Sequence, residues 1–168
     1  MEGATVRNIA AEAGLSLGAL RHYFSTQDEL LAYSMKLVKE RATARIRQIA
    51  AGEGPPAQKI TSILLELVPT NQEKLAEVEV WFAFTAYFRH KKEGYDAQHD
   101  GIYSAIRGVM DYANAEGLLE KELDIELETE KLYALIDGLA LHAYLEPQRV
   151  GGEWVEQVLR EYLARLFH

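Results

Sequence analysis

Three sets of residues in this sequence have types and spacing that could do chemistry. Asp96, His99 and Asp100 bring metal-ligating groups within one helical turn. No second ligand cluster accompanies them, so a solvated helix face is the plainer account, and His90, His142 and His168 are no more suggestive. The chain has no GxSxG, no HExxH, no phosphate-cradling glycine loop and no carboxylate pair that spacing singles out. The expectation is therefore no enzyme: no catalytic residue, no metal and no cofactor.

The second set is Trp81, Phe84, Tyr87, Phe88, Tyr103, Met110 and Tyr133. Each residue alone is more simply a core side chain. So many large aromatics with polar tips in one small bundle favour an apolar cavity that takes a small organic effector, with Trp81, Phe84 and Tyr103 at its border. Asp137, inside an apolar stripe, either caps a neighbouring backbone or meets a ligand cation, and the structural role is preferred.

The third set lies at the N-terminal end. Helical spacing from about Thr5 to Glu12 is broken by Ala13-Gly14-Leu15-Ser16 and resumes from Leu17 to about Tyr23. Gly14 suits the positive φ after a helix end, and the Ser16 hydroxyl can cap the next helix. Two short helices around such a turn form a helix-turn-helix candidate, whose second helix enters the major groove of DNA. Val6, Ile9, Ala10, Ala13, Leu15, Leu20 and Phe24 can pack this unit. Thr5, Ser16, Leu17, Ala19, Arg21, His22 and Tyr23 are then left nearer the surface. Gly18 removes a side chain where the helix would press into the groove, and small or hydroxyl residues at helix starts let N–H groups approach phosphates. Arg21 is the expected base reader, because a guanidinium can bond guanine in bidentate fashion.

The run from Ala4 to Leu31 closely resembles the DNA-binding signature of the TetR family of bacterial regulators. The resemblance implies that Thr5, Ser16, Leu17, Gly18, Ala19, Arg21, His22 and Tyr23 meet DNA. Gln27 stands where the family has a phosphate-gripping lysine, and Arg21 where it usually has an aromatic. Family members carry a further helix before the Thr5 segment, which is missing from this sequence, and a loosely held head is the expected result. Val80-Trp81-Phe82-Ala83-Phe84, Ala115-Glu116-Gly117-Leu118 and Ile136-Asp137-Gly138-Leu139-Ala140 resemble the BetI-type ligand-binding half. What the resemblance implies is a repressor released from operator DNA by a small-molecule inducer, dimeric through its last two helices. The alternatives are a helical ligand-binding dimer without DNA-binding activity and, third, a small helical enzyme.

The elements that must position these residues are helices, since i, i+3, i+4 spacing recurs along the chain. Thr26-Gln27-Asp28-Glu29 fits a capping box and opens a helix carrying Leu30, Leu37, Val38, Ile46 and Ile49, which ends near Gly52. Pro55-Pro56 starts a helix with Ile60, Ile63, Leu64 and Leu67, running up to Pro69. Residues from Asn71 to about Lys91 are apolar on every side, which predicts a helix surrounded by others. A helix from about Tyr95 stops at Gly117. Leu123 to Glu128 alternates like a strand but reads as a linker entering a helix, because clustered acids suit a helix N-terminus. The last two helices carry Leu132, Leu135, Ile136, Leu139 and Ala143, then Val155, Val158, Leu159, Tyr162, Leu163 and Leu166. Their broad apolar faces are expected to need a second copy to cover them. The fold class is all-α, with a helix-turn-helix head over residues 1–27 and a ligand-binding and dimerisation bundle of about six helices over 28–168.

Composition agrees with this plan. Of 168 residues, 48% are hydrophobic and 26% charged, enough for a proper core. The net charge of -8 is uneven: residues 1–50 hold seven Lys/Arg against five acids, net +2, leaving -10 for the rest. A mildly basic head before an acidic body permits a DNA partner without establishing one. There are no cysteines, no membrane-length apolar run and no signal-peptide opening, so no membrane partner and a cytoplasmic location are expected.

Overall fold

The computed structural model describes residues 27–89 and 101–167, and all structural statements concern these residues. They form six α-helices and a short 3-10 turn, with no strand: α1 Gln27–Ala51, α2 Pro56–Leu64, the 3-10 turn Leu65–Leu67, α3 Gln72–Arg89, α4 Ile102–Ala115, α5 Ile125–Leu145 and α6 Gly152–Leu166. The helix-turn-helix pattern, Thr26 of the capping box and the Asp96, His99 and Asp100 cluster lie outside the described residues.

Local chemistry sets the helix ends. Pro56 occupies the first turn of α2, where its missing N–H costs nothing. The α-helix gives way to the 3-10 turn after Leu64 rather than continuing toward Pro69. Gly101, with φ of 85°, precedes α4 in the left-handed region, so the helix expected from about Tyr95 instead begins at Ile102. At the other end of α4, Gly117 has φ of 70° and its N–H bonds Asn114 O at 3.0 Å, while Leu118 N–H bonds Ala113 O at 2.9 Å. This is a Schellman termination. The strand-like alternation at 123–128 resolves as anticipated, because the Asp124 side chain accepts from Leu127 N–H at 3.1 Å and caps α5.

The main core gathers Ile60, Leu64 and Val68 with Ile106, Met110 and Ala113 of α4, Leu132, Ile136 and Ala143 of α5, and Val155, Leu159 and Leu163 of α6. Two sequence expectations are corrected here. Leu132, Leu139, Val155, Leu159 and Leu166 are buried inside one protomer, so a single chain does cover these faces of the last two helices. Leu135 and Tyr162 are only partly buried. Second, α3 is not encased. It packs on α1 and α5, and none of its described side chains is fully buried. The helix is apolar on several sides because one side meets α1, another meets α5 and a third borders a cavity.

Candidate effector cavity

The cavity is built from helix faces that periodicity makes unavoidable. Met35, Val38, Ala42 and Ile46 recur three and four residues apart along α1 and form one wall. Lys74, Glu77, Val78 and Trp81 do the same on α3. Ile102 and Ala105 of α4 and Ile136, Asp137 and Ala140 of α5 close the far side, while Glu66, Leu67 and Val68 form one end. The cavity, which is partly open, has a volume of about 230 Å³. A dry engineered cavity of about 150 Å³ holds benzene, so this one has room for a ring and a short chain.

One end of the cavity is a charge network. Arg45 of α1 donates through Nε to Glu66 Oε2 at 2.6 Å, and through Nη1 and Nη2 to Glu77 Oε1 and Oε2 at 3.0 and 2.7 Å. Lys74 Nζ donates to Glu66 Oε1 at 2.9 Å, Leu65 O at 3.0 Å and Thr70 Oγ1 at 3.3 Å. The two carboxylates are largely buried, with side chains 13% and 11% exposed. The Glu77 hydrogen bonds raise the Arg45 pKa against the opposing effect of burial, so its charge is fixed. Burial pushes the Glu66 carboxyl up, but the hydrogen bonds from Lys74 and Arg45 outweigh it and hold the group below its ordinary value. Farther along the same helix pair, the Tyr87 hydroxyl donates to Asp28 in the first turn of α1. The two links show α1 and α3 running antiparallel, tied near both ends of their contact.

Of the aromatics singled out from sequence, Trp81 lines the cavity. Phe84, Tyr87, Tyr103, Met110 and Tyr133 do not. Met110 is fully buried in the main core, and Tyr103 stacks edge-on against Tyr133 with ring centroids 5.6 Å apart. The Phe88 side chain lies outside the described residues. Asp137, for which a structural role was preferred, borders the cavity. Sequence reading missed the α1 wall and the polar end. The available signal was the placement of Lys74 and Glu77 on the same helix face as Trp81, where charge interrupts an apolar stripe. Among the described residues no group of three His, Asp or Glu is placed to hold a metal. His142 meets Arg149, its Nδ1 lying 3.3 Å from Nη2, on an exposed helix end.

A second feature lies on the outer side of α5 and α6. Leu135, Trp154, Val158 and Tyr162 border a shallow groove with Gln157, Glu161 and Arg165, and Trp154 is 53% exposed. Tyr162 donates to Glu128 Oε2 at 3.0 Å, tying the two helices together. Burial, then this hydrogen bond, raises its pKa and keeps it a neutral donor.

A helical body whose opening helix also walls a cavity is the architecture of a ligand-sensing regulator, and sequence comparison gives its family. A signature described as bacterial regulatory proteins, tetR family, matches residues 1–33, and one described as BetI-type transcriptional repressor, C-terminal, matches residues 56–168. The HTH-type transcriptional regulator PksA of Bacillus subtilis is 58% identical over 166 residues, 99% of this chain and 81% of that protein. The HTH-type transcriptional regulator BetI of Vibrio campbellii is 27% identical over 170 residues, 98% of this chain and 82% of that one. The crystal structure of a transcriptional regulator from Rhodococcus sp. Rha1 superposes with a TM-score of 0.67 at 28% identity, covering 98% of this chain and 86% of that chain. The chain belongs to the TetR family of transcriptional regulators. It is a ligand-responsive, DNA-binding regulator, of a family that binds operator DNA and acts as dimers. These relatives are transcriptional regulators, not enzymes. Among the described residues no helix is long and apolar enough to cross a membrane.

Proposed function

We propose that the chain is a cytoplasmic repressor that leaves its operator when a small organic effector occupies the cavity between α1, α3, α4 and α5. One observation carries this reading: α1 belongs to both halves. The DNA-binding signature runs to residue 33, inside α1, and the cavity begins at Met35 of the same helix. A helix of 25 residues is about 37 Å long, so a small change in its tilt at the cavity displaces its N-terminal end by several ångströms. Two heads must sit about one DNA turn apart to read adjacent major grooves, and such a displacement spoils that spacing.

In this reading residues 1–27 are the head and 28–168 the sensing and dimerising body. Thr5, Ser16, Leu17, Gly18, Ala19, Arg21, His22, Tyr23 and Gln27 contact DNA. The dimer forms through the outer side of α5 and α6, where Leu135, Trp154, Val158 and Tyr162 are available, because the inner faces are consumed by the protomer core. A stable interface of this kind buries upward of roughly 1,000 Å² in total.

The test is fluorescence anisotropy of a labelled duplex from the region upstream of the chain's own gene, with light scattering in parallel. Binding by a dimer, reversed by cavity-sized organic compounds, is the expected result. A monomer at micromolar concentration, or DNA binding that no compound bound in the cavity alters, would overturn the proposal. Val158→Asp places a charge in the groove and should give monomers with weakened DNA binding and an intact cavity.

A further inference from the structure

We infer that the dimer recognises a second copy of this chain by charge: Arg165 of each protomer pairs with Glu161 of the partner subunit across the groove on α5 and α6. This rests on the dimer face proposed above. Glu161 and Arg165 stand one turn apart on α6 with the acid N-terminal, the arrangement that favours a pair within the helix. They do not form one. Glu156 and Arg160, with the same spacing on the same helix, do: Arg160 Nε donates to Glu156 Oε1 at 2.8 Å. Glu161 and Arg165 instead border the groove beside Leu135, Trp154, Val158 and Tyr162, and among the described residues neither has an ion-pair or hydrogen-bond partner.

The nearby Glu128 is already engaged within the protomer, by Tyr162 at 3.0 Å and Lys131 at 2.6 Å. The groove therefore carries one unmatched acid and one unmatched base beside apolar side chains. A partner of single-signed charge would match one of them and bury the other alone, which is costly. A second copy matches both at once, because in a two-fold contact residue i meets residue j and j meets i. With the two α6 helices antiparallel and the axis at the height midway between positions 161 and 165, each acid lies opposite the other chain's base. A parallel pairing would instead set acid against acid and base against base, two repulsions. Trp154 and Val158, covered by the mate, exclude water around the pairs and strengthen them. A related regulator lacking either charge would leave one buried alone, so the same two residues disfavour mixed dimers.

Charge reversal in the full chain tests this, with sedimentation for dimer affinity and native mass spectrometry to tell homodimers from heterodimers. Glu161→Arg and Arg165→Glu should each weaken the homodimer about ten-fold or more. Mixed together, the two variants should form the heterodimer in preference to either homodimer, and a chain carrying both substitutions should dimerise like the original. The like-charged pair made within each single variant persists in the mixture, so rescue there reports contact between chains. Where a reversed chain loses the circular dichroism of the original, Glu161→Gln and Arg165→Gln serve instead: combined, they should weaken the dimer no more than either alone, and additive losses overturn the inference. Full-strength homodimers of both reversed chains, or a mixture without preference for the heterodimer, also overturn it. If Val158→Asp then still gives monomers, the dimer face stands without the pairing. If Val158→Asp stays dimeric as well, both fall.

Discussion

Arg45 of α1 grips Glu77 of α3 with two parallel hydrogen bonds, Nη1 to Oε1 at 3.0 Å and Nη2 to Oε2 at 2.7 Å, and no other described side chain ties these two helices at this level. Bidentate geometry gives the pair direction as well as charge. Arg45→Ala leaves Glu66 and Glu77 largely buried, one held only by Lys74 and the other by none of the network. Exposed pairs are worth up to about 1 kcal/mol and breaking fully buried ones costs about 3 to 5, so this partly buried case should lose about 2 kcal/mol. Urea unfolding of the variant checks the figure. The Arg45→Met, Glu77→Gln double variant should lose less than Arg45→Ala, because the uncompensated charge at position 77 is gone.

Acid should weaken the same network. Glu66 is held below its ordinary value of 4.5, so its folded form binds a proton less readily than the unfolded chain does. The stabilisation is complete above that ordinary value and is lost as pH falls through the depressed folded value. Unfolding curves collected from pH 6 down to pH 3 should show stability falling below about pH 4.5. In Glu66→Gln the starting stability should be lower and the fall shallower. An equal acid slope in both proteins would assign the acid sensitivity to other carboxylates.

Much of the body was legible because helix ends obey local rules. Pro56, Gly117 and Asp124 mark starts and stops by their own backbone or side-chain chemistry, with no help from the rest of the chain. The polar end of the cavity was not legible. Arg45 meets partners 21 and 32 residues away, and no periodicity reports which charges a tertiary fold brings together. The aromatics misled for a related reason. Spacing puts Tyr103 and Tyr133 on buried sides of their helices, but whether a buried ring meets a void or another ring depends on the neighbouring helix, and here they meet each other. The same indifference explains the dimer faces: an apolar stripe says that it will be covered, not by which chain.

Gly152 should prove intolerant of substitution. A Cβ at this first residue of α6 would overlap the carbonyl group of Thr70, which belongs to the turn between the 3-10 segment and α3. The obstruction is backbone, so it cannot rotate away as a side chain would. Gly152→Ala should cost about 1 to 3 kcal/mol, the range for overpacking a filled interior, despite alanine's better helix propensity. Gly138, whose Cβ position is open within the protomer, supplies the control. Gly138→Ala should leave the isolated fold unharmed, and thermal melts of the two variants should separate clearly.

Two threonines on helices should respond in opposite directions to the same change. Thr129 on α5 is fully buried and its hydroxyl donates to Ile125 O at 2.7 Å. Thr85 on α3 has a buried hydroxyl oxygen with no hydrogen-bond partner. Threonine and valine have nearly the same shape and similar helix propensity, so exchange isolates the hydroxyl. At Thr129 the exchange removes a made hydrogen bond and should cost about 0.5 to 1.5 kcal/mol. At Thr85 it removes a polar atom desolvated without return, and should stabilise the protein by up to about 1 kcal/mol. Parallel denaturant titrations of Thr129→Val and Thr85→Val measure both. A loss at position 85 equal to that at 129 would show that the Thr85 hydroxyl is bonded in solution, and the lone-hydroxyl account of α3 would then fail.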